Sequence, residues 1–179
     1  MIFHYVQGTK HFVIHNVVNF PLELVGFTDS DWVGDSIDRN STSGYVFMLA
    51  HGPICWSSKN QHTISLSLAE AEYRGEMNAT TQCVWLQGIL GELGFALDSP
   101  TVIWCDNQSV INISTGPLQR QRTKNIEIYM QYIQSLVHEQ VISLQYFTCP
   151  EKTVDIFTKR YIENTFTHMR SLLGLGDTW

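Results

Sequence analysis

The sequence predicts an α/β fold, a five-stranded mixed sheet in which an antiparallel meander runs into parallel strands, flanked by helices. Three observations predict it. Residues 22–58 carry three short β-rich stretches parted by turn residues, residues 66–93 place apolar side chains at spacings of three and four, and strand and helix patterns alternate from residue 102 onward. The 179 residues suffice to bury one core but not two generous ones, so a single domain is expected.

Residues 1–21 contain a β-branched stretch (Phe12, Val13, Ile14, Val17, Val18) closed by Pro21, which reads as a strand or hairpin with no partner of its own. Leu24–Asp29, Gly44–Leu49 and Ile54–Ser58 are the meander strands, because turn-forming residues at Asp38–Ser43 and Ala50–Pro53 separate them. Leu66–Leu93 follows as a long helix, and Gly94 suits the left-handed position just past its end. Val102–Asp106 is a fourth strand. Asn107–Ser114 is a short helix stopped by Gly116 and Pro117, Ile126–His138 a full helix, and Val141–Phe147 a fifth strand. Beyond Pro150, the helical segments Thr153–Lys159 and Asn164–Leu173 finish the chain and, counted as one late helical region, give the order βββαβααβα.

Composition narrows the function. Hydrophobic residues make up 44% and charged residues 16%, so the chain should fold. Seventeen acids against eleven bases give a net charge of -6, which argues against a protein that coats nucleic acid through a basic surface. Phosphate binding then requires carboxylates that hold cations. The four cysteines (Cys55, Cys83, Cys105, Cys149) are far apart and form neither a zinc motif nor a disulfide framework. No apolar run approaches the roughly 20 residues of a membrane span, and no secretory signal pattern opens the sequence. An intracellular protein, cytoplasmic or nuclear and not secreted, is expected.

The acids that matter sit at element ends. Asp29 ends the first meander strand and Asp106 the fourth; if these strands are parallel neighbours, both acids lie at the switch point where open α/β sheets place ligands. Either also reads as a turn or helix cap. Leu68, Glu72, Gly75, Ala79, Cys83, Leu86 and Leu90 form one face of the long helix, with Glu72 its only acid, while Glu70 and Glu76 are assigned to a solvated face. A carboxylate aimed at a sheet must be protonated, paired or metal-bound. Asp155 begins the late helical region, as a cap or a fourth ligand. Several such carboxylates would repel one another unless cations joined them, and two Mg²⁺ ions about 3.5–4 Å apart would suit metal-assisted phosphodiester hydrolysis.

Seven motifs in order carry a resemblance: Gly26-Phe-Thr-Asp-Ser-Asp-Trp32, Asp38-Arg-Asn-Ser-Thr-Ser-Gly-Tyr45, Trp56-Ser-Ser-Lys-Asn-Gln61, Leu68-Ala-Glu-Ala-Glu-Tyr-Arg74, Cys105-Asp-Asn-Gln-Ser109, Arg122-Thr-Lys124 and Val154-Asp-Ile-Phe-Thr-Lys159. From about Leu24 to Leu173 the chain resembles the ribonuclease H domain of copia-type retrotransposon Pol polyproteins. The resemblance implies a ribonuclease H-like domain over residues 22–179. Tyr5-Val-Gln-Gly-Thr-Lys10 looks like the end of that family's reverse transcriptase and connection region, so residues 1–21 are expected to be a remnant of it and the chain a C-terminal piece of a longer polyprotein. It further implies that Asp29, Glu72, Asp106 and Asp155 are catalytic metal ligands for two Mg²⁺ or Mn²⁺ ions, with Asp31 the rival of Asp29. The implied substrate is the RNA strand of an RNA–DNA hybrid, recognised through its 2′-OH groups and groove shape. Ser57, Ser58, Lys59, Asn60, Gln61, Asn107 and Gln108 are then placed to meet backbone or sugar, and Arg122 and Lys124, with Arg120, to meet phosphates; ordinary loop polarity is the alternative.

Departures from the family pattern point to a second reading. Three places that commonly hold histidine carry Arg120, Asn125 and Gln131; Arg160 replaces a proline, and Glu76 stands where a small residue is usual. A mobile histidine near the metals of related nucleases assists proton transfer or product release. The alternative expectation is therefore a catalytically decayed or repurposed domain of the same fold that binds nucleic acid or a protein partner.

Overall fold

The chain opens with a short helix, α1 (Ile2–Gly8), and a three-residue strand, β1 (Phe12–Ile14). The structure, a computed structural model, describes residues 2–15, 21–31, 41–61, 68–116, 124–147 and 153–177, without the side chains of 68–72 and 124–127. The meander follows as β2 (Leu24–Asp31), β3 (Thr42–Leu49) and β4 (Gly52–Asn60), and then comes the long helix α2 (Leu68–Glu92). Strand β5 (Thr101–Cys105) leads through α3 (Gln108–Thr115) and α4 (Lys124–His138) to β6 (Ile142–Tyr146). A 3-10 turn at Thr153–Phe157, helix α5 (Glu163–Leu172) and strand β7 (Leu175–Asp177) complete the described order.

The main sheet runs β4-β3-β2-β5-β6. Its first two pairings are antiparallel, whereas β2–β5 and β5–β6 are parallel. This is the mixed sheet expected from the sequence, with β2 central because it joins the meander to the crossovers. One face packs against α2 and α4 through Phe47, Cys83, Leu86, Leu90, Ile103, Ile133 and Leu144. Glycine is required on that face at Gly26, where a Cβ would stand 2.6 Å from the Phe47 ring. A smaller cluster of Val46, Val154 and Leu173, with Phe27 and Met48, holds the 3-10 turn. Gly94 closes α2 at φ 84°, as its position in the sequence suggests.

Three expectations are corrected. The amino-terminal segment is a helix followed by a strand, and β1 does have a partner, pairing antiparallel with β7 from Phe12↔Asp177 to Ile14↔Leu175. A three-residue strand gains its ladder only from a distant segment, which local pattern does not reveal. Lys59 and Asn60, beyond the expected end of the strand at Ser58, belong to the edge strand β4 and not to a loop, since they lie opposite Ser43 and Thr42. Asp31 likewise lies within β2, opposite Thr42, and not beyond it.

Candidate active site

The parallel pairing of β2 with β5 brings the carboxyl ends of both strands together, Phe27 lying beside Trp104. Asp29 is near the end of β2, and Asp106 follows the last residue of β5. The adjoining Asn107 caps α3 by accepting from the backbone N–H groups of Ser109 and Val110, at 2.7 and 3.0 Å. Asp155 arrives from the 3-10 turn, which lies over β3. That approach depends on Gly44, where a Cβ would stand 2.7 Å from Phe157 Cβ, and Ser58 Oγ further fixes it by donating to the Phe157 carbonyl.

A lysine holds two of these acids together. Lys159 Nζ donates to Asp155 Oδ2 at 2.8 Å and lies 3.5 Å from Asp29 Oδ2. The Thr158 hydroxyl donates to Asp29 Oδ2, and the Tyr161 hydroxyl donates to Asp155 Oδ2 at 3.3 Å. Asp29 is only 4% exposed, and burial raises its carboxyl above the ordinary carboxylate range. The Thr158 hydrogen bond and the Lys159 charge oppose that rise, while Asp155 and Asp106 add to it by repulsion. Burial lowers Lys159, but the Asp155 hydrogen bond and the two carboxylate charges outweigh it and leave the ammonium above its usual value. Lys159 is thus a firm cation between two acids, a role that the sequence pattern did not suggest.

Glu76 overturns its assignment to a solvated face. It is 3% exposed, and with Asp29, Asp106, Thr28, Ser30 and Asn107 it lines a cavity of about 10 Å³ at the strand ends. Four residues beyond Glu72, it lies about 40° around the helix, well inside the apolar stripe. Its Oε1 has no hydrogen-bond partner among the described residues, and the same holds for Asp155 Oδ1. Burial first, and then the charge of Asp106, push the Glu76 carboxyl up from 4.5 to about 8. Glu72 lies in α2, but its side chain is outside the described set.

The donors are of the kind a hard divalent cation takes: all are carboxylate oxygens, and two buried ones have no hydrogen-bond partner among the described residues. Among the described residues, however, no three His, Cys, Asp or Glu side chains come close enough to hold one ion unaided. Asp29 and Asp155 face Lys159, Glu76 faces Asp106, and Asp106 acts electrostatically on both groups.

Between the β3–β4 edge and the helices runs a groove of about 670 Å³, lined by Ser57, Lys59, Asn60, Gln61, Arg74 and Tyr129, among others. Ser58, Lys59 and Asn60 are exposed, whereas Gln61 is buried and donates to Ser43 Oγ at 2.7 Å. Asn107 serves as the cap described above, and Gln108 donates to Asn112 at 3.1 Å on the surface of α3. Arg74 and Tyr129 were missed in the sequence, although the position of Arg74 one turn from Asn78 and Met77 on α2 is a helical-face signal. Arg120 and Arg122 lie outside the described residues, as do the side chains of Lys124 and Asn125; Gln131 is exposed on α4.

The fold is that of ribonuclease H. The N-terminal RNase H domain of a Mycobacterium tuberculosis protein, solved as a fusion with maltose-binding protein, superposes with a TM-score of 0.51 at 14% identity, over 84% of this chain and 98% of the other. LC11 ribonuclease H1, solved in complex with an RNA/DNA hybrid, gives 0.51 at 15% identity, over 74% and 88%. No protein-family model matches the chain. Sequence relatives are nearer: the retrovirus-related Pol polyprotein from transposon RE1 of Arabidopsis thaliana is 33% identical over 174 residues, 97% of this chain. The chain is a homologue of retrotransposon Pol polyproteins. The corresponding polyprotein from transposon TNT 1-94 of Nicotiana tabacum is 32% identical over the same share. This Pol homologue spans 12% and 13% of the lengths of those two relatives. Among its described residues no helix is long and apolar enough to cross a membrane.

Proposed function

We propose that the chain is a ribonuclease H-type hydrolase that cuts the RNA strand of RNA–DNA hybrids endonucleolytically, as the ribonuclease H part of a copia-type Pol polyprotein. The observation that carries this reading is the convergence of Asp29 and Asp155 on Lys159 where the parallel strands β2 and β5 end, with Asp106 near enough to act on Asp29 electrostatically. Residues 22–179 are read as the nuclease domain, and residues 1–21 as the remnant of a preceding reverse transcriptase and connection region. The upstream reverse transcriptase is the expected partner, and the place of work is inside the cell, in the cytoplasm or nucleus.

Mg²⁺ or Mn²⁺, held as two ions by Asp29, Glu72, Asp106 and Asp155, would supply the water activation and leaving-group stabilisation that phosphodiester hydrolysis needs. The chain's own groups prepare that site. Thr158 orients the Asp29 carboxylate, and Lys159 holds Asp29 and Asp155 near each other against their repulsion. Ser57, Ser58, Lys59 and Asn60 on the edge strand, with Arg74 across the groove, would bind backbone phosphates and sugars, giving affinity with little sequence preference. Asn107 and Gln61, being engaged within the fold, would act on the hybrid by shaping the wall it meets.

Cleavage of a labelled hybrid in Mn²⁺, comparing the chain with Asp29→Asn and Asp106→Asn, tests the reading: both variants should lose activity, and equal behaviour of all three proteins rejects it. The second reading, a silent domain that binds hybrid or a protein partner, draws on Lys159 standing as a cation between Asp29 and Asp155. It predicts hybrid retention in a gel-shift assay without cleavage by any of the three.

A further inference from the structure

We infer that the surface formed by α5 and β7 is a docking site for the region that precedes the nuclease, with Arg170 as its anchor, and that the docked segment steadies the turn bearing Asp155 and Lys159. The inference rests on the reading of residues 1–21 as the end of an upstream region, and it names the surface which that region uses. Contacts of three kinds meet there. Strand β1 adds to β7 in an antiparallel ladder, and the His15 N–H extends it by donating to the Gly174 carbonyl at 2.8 Å. The Arg170 guanidinium lies 4.2 Å from the centre of the Phe12 ring and 5.9 Å from that of Phe166, and its Nη1 donates to the Tyr5 hydroxyl at 3.3 Å. Tyr5 in turn meets the Phe166 ring edge-on, with 5.9 Å between centres. The remaining contacts are polar: His11 Nε2 lies 2.6 Å from Asp177 Oδ1, and His15 Nε2 lies 3.0 Å from the Asp177 carbonyl oxygen.

These contacts are unequal. The side chains of His11 and Asp177 are both more than half exposed, so that pair is screened and adds little. A three-residue ladder would fray by itself, since a two-stranded ribbon is marginal in water. A guanidinium against two rings, with a hydroxyl at its edge, uses a planar geometry that neither an aliphatic chain nor an ammonium reproduces. Arg170 therefore ties both α1, through Tyr5, and β1, through Phe12, to α5. From there the path to the acids is short. Leu173, which caps α5, and Leu175 of β7 belong to the cluster of Val46 and Val154, which also takes in Ile156 and Phe157 of the 3-10 turn. Asp155 stands between Val154 and Ile156 in that turn, and the N–H groups of Thr158 and Lys159 fasten its end by donating to the Asp155 carbonyl at 3.1 and 2.8 Å.

Hydrogen–deuterium exchange of the full chain in EDTA, read by mass spectrometry, tests this without recourse to activity. Wild type, Arg170→Met, Arg170→Lys and Phe12→Ala are compared over residues 2–15, residues 153–159 and, as a control, the central strand β5. Arg170→Met should speed exchange at least about tenfold over 2–15 and over 153–159 while leaving β5 as in wild type, and Arg170→Lys, which keeps the charge without the planar contact, should fall between. Should Arg170→Met not fold, Phe12→Ala decides by the same criteria. Exchange sped over 2–15 alone, over all three segments alike or over none overturns the inference, as does wild-type exchange over 2–15 at the rate of an unfolded peptide. Hybrid cleavage by the wild type separates the two readings. Coupled loosening in a protein that does not cleave keeps the docking surface and rejects the nuclease, whereas cleavage without coupled loosening keeps the nuclease and rejects the docking surface.

Discussion

Replacing Glu76 with glutamine in metal-free protein should alter how stability varies with pH more than stability at any single pH. Burial, with help from Asp106, moves this carboxyl from 4.5 to about 8 in the folded state. In the unfolded chain it titrates near its ordinary value, so between these limits the unfolded state sheds a proton that the folded state keeps. The favourable contribution of the protonated group is therefore complete below pH 4.5, declines as pH rises, and is lost at about pH 8, where the folded group ionises too. At about 1.36 kcal/mol per pH unit the whole window amounts to roughly 5 kcal/mol, and the stretch from pH 5 to 8 to roughly 3–4 kcal/mol. Glutamine keeps the volume and a buried polar atom but cannot ionise, so packing differences cancel when one pH is compared with another. Urea unfolding of both proteins in EDTA from pH 5 to 8 should show the wild type losing roughly 3 kcal/mol relative to E76Q, on the order of 10 °C in melting temperature. Parallel stability curves would refute a buried, ionisable Glu76.

Lys159→Met removes the cation between Asp29 and Asp155. Because the Lys159 side chain is 35% exposed and partly screened by solvent, metal-free stability should fall by only about 1–2 kcal/mol in urea unfolding, less than for a fully buried pair. Added Mg²⁺ should recover more of that stability in the variant than it adds to the wild type, and equal Mg²⁺ responses would show that Lys159 and the metal do not act on the same acids. Gly44→Ala puts a methyl against Phe157 Cβ and should lower stability by about 1–3 kcal/mol through overpacking, with loss of hybrid cleavage beyond what melting explains, because the displaced turn carries Asp155 and Lys159. Cleavage per folded molecule equal to wild type would show that the turn's position is not critical.

Long periodic elements were legible in the sequence because their period reports one buried face. Phe47, Ile103 and Leu144 alternate inward along strands, and α2 repeats its contacts from Ala79 through Leu90, so both the sheet and the helix behind it follow from pattern. The strand-end acids were legible for the same reason, since a parallel β2–β5 pair places whatever follows those strands at one edge. Glu76 was not, because a stripe drawn through Glu72, Gly75 and Ala79 treats the buried face as narrower than it is. Tyr73 and Thr80 are buried as well, so α2 is covered over a wide arc by both the sheet and its neighbouring helices. Lys159 was hidden for a different reason: a five-residue 3-10 turn has no period, and only its seating against β3 reveals which way the residues after it point.

The excess of acids and the expected phosphate substrate can be reconciled only by local charge. Lys159 offsets one negative charge near Asp29 and Asp155, and the proton held by a buried Glu76 offsets another near Asp106. Neither makes the strand ends positive. An approaching phosphodiester would still meet uncompensated aspartates in a partly desolvated setting, where repulsion is felt more strongly than in water. Lys59 and Arg74 line the groove in which the proposed reading seats the backbone, apart from the acids at the strand ends. On the proposed reading, affinity from the groove and chemistry at the strand ends would have separate electrostatic requirements, and the second would be met only with divalent charge joining the carboxylates. If the chain acts on nucleic acid as proposed, its net charge of -6 would not prevent a backbone from being seated beside the acids, but drawing the scissile phosphate among them would require bound divalent cations.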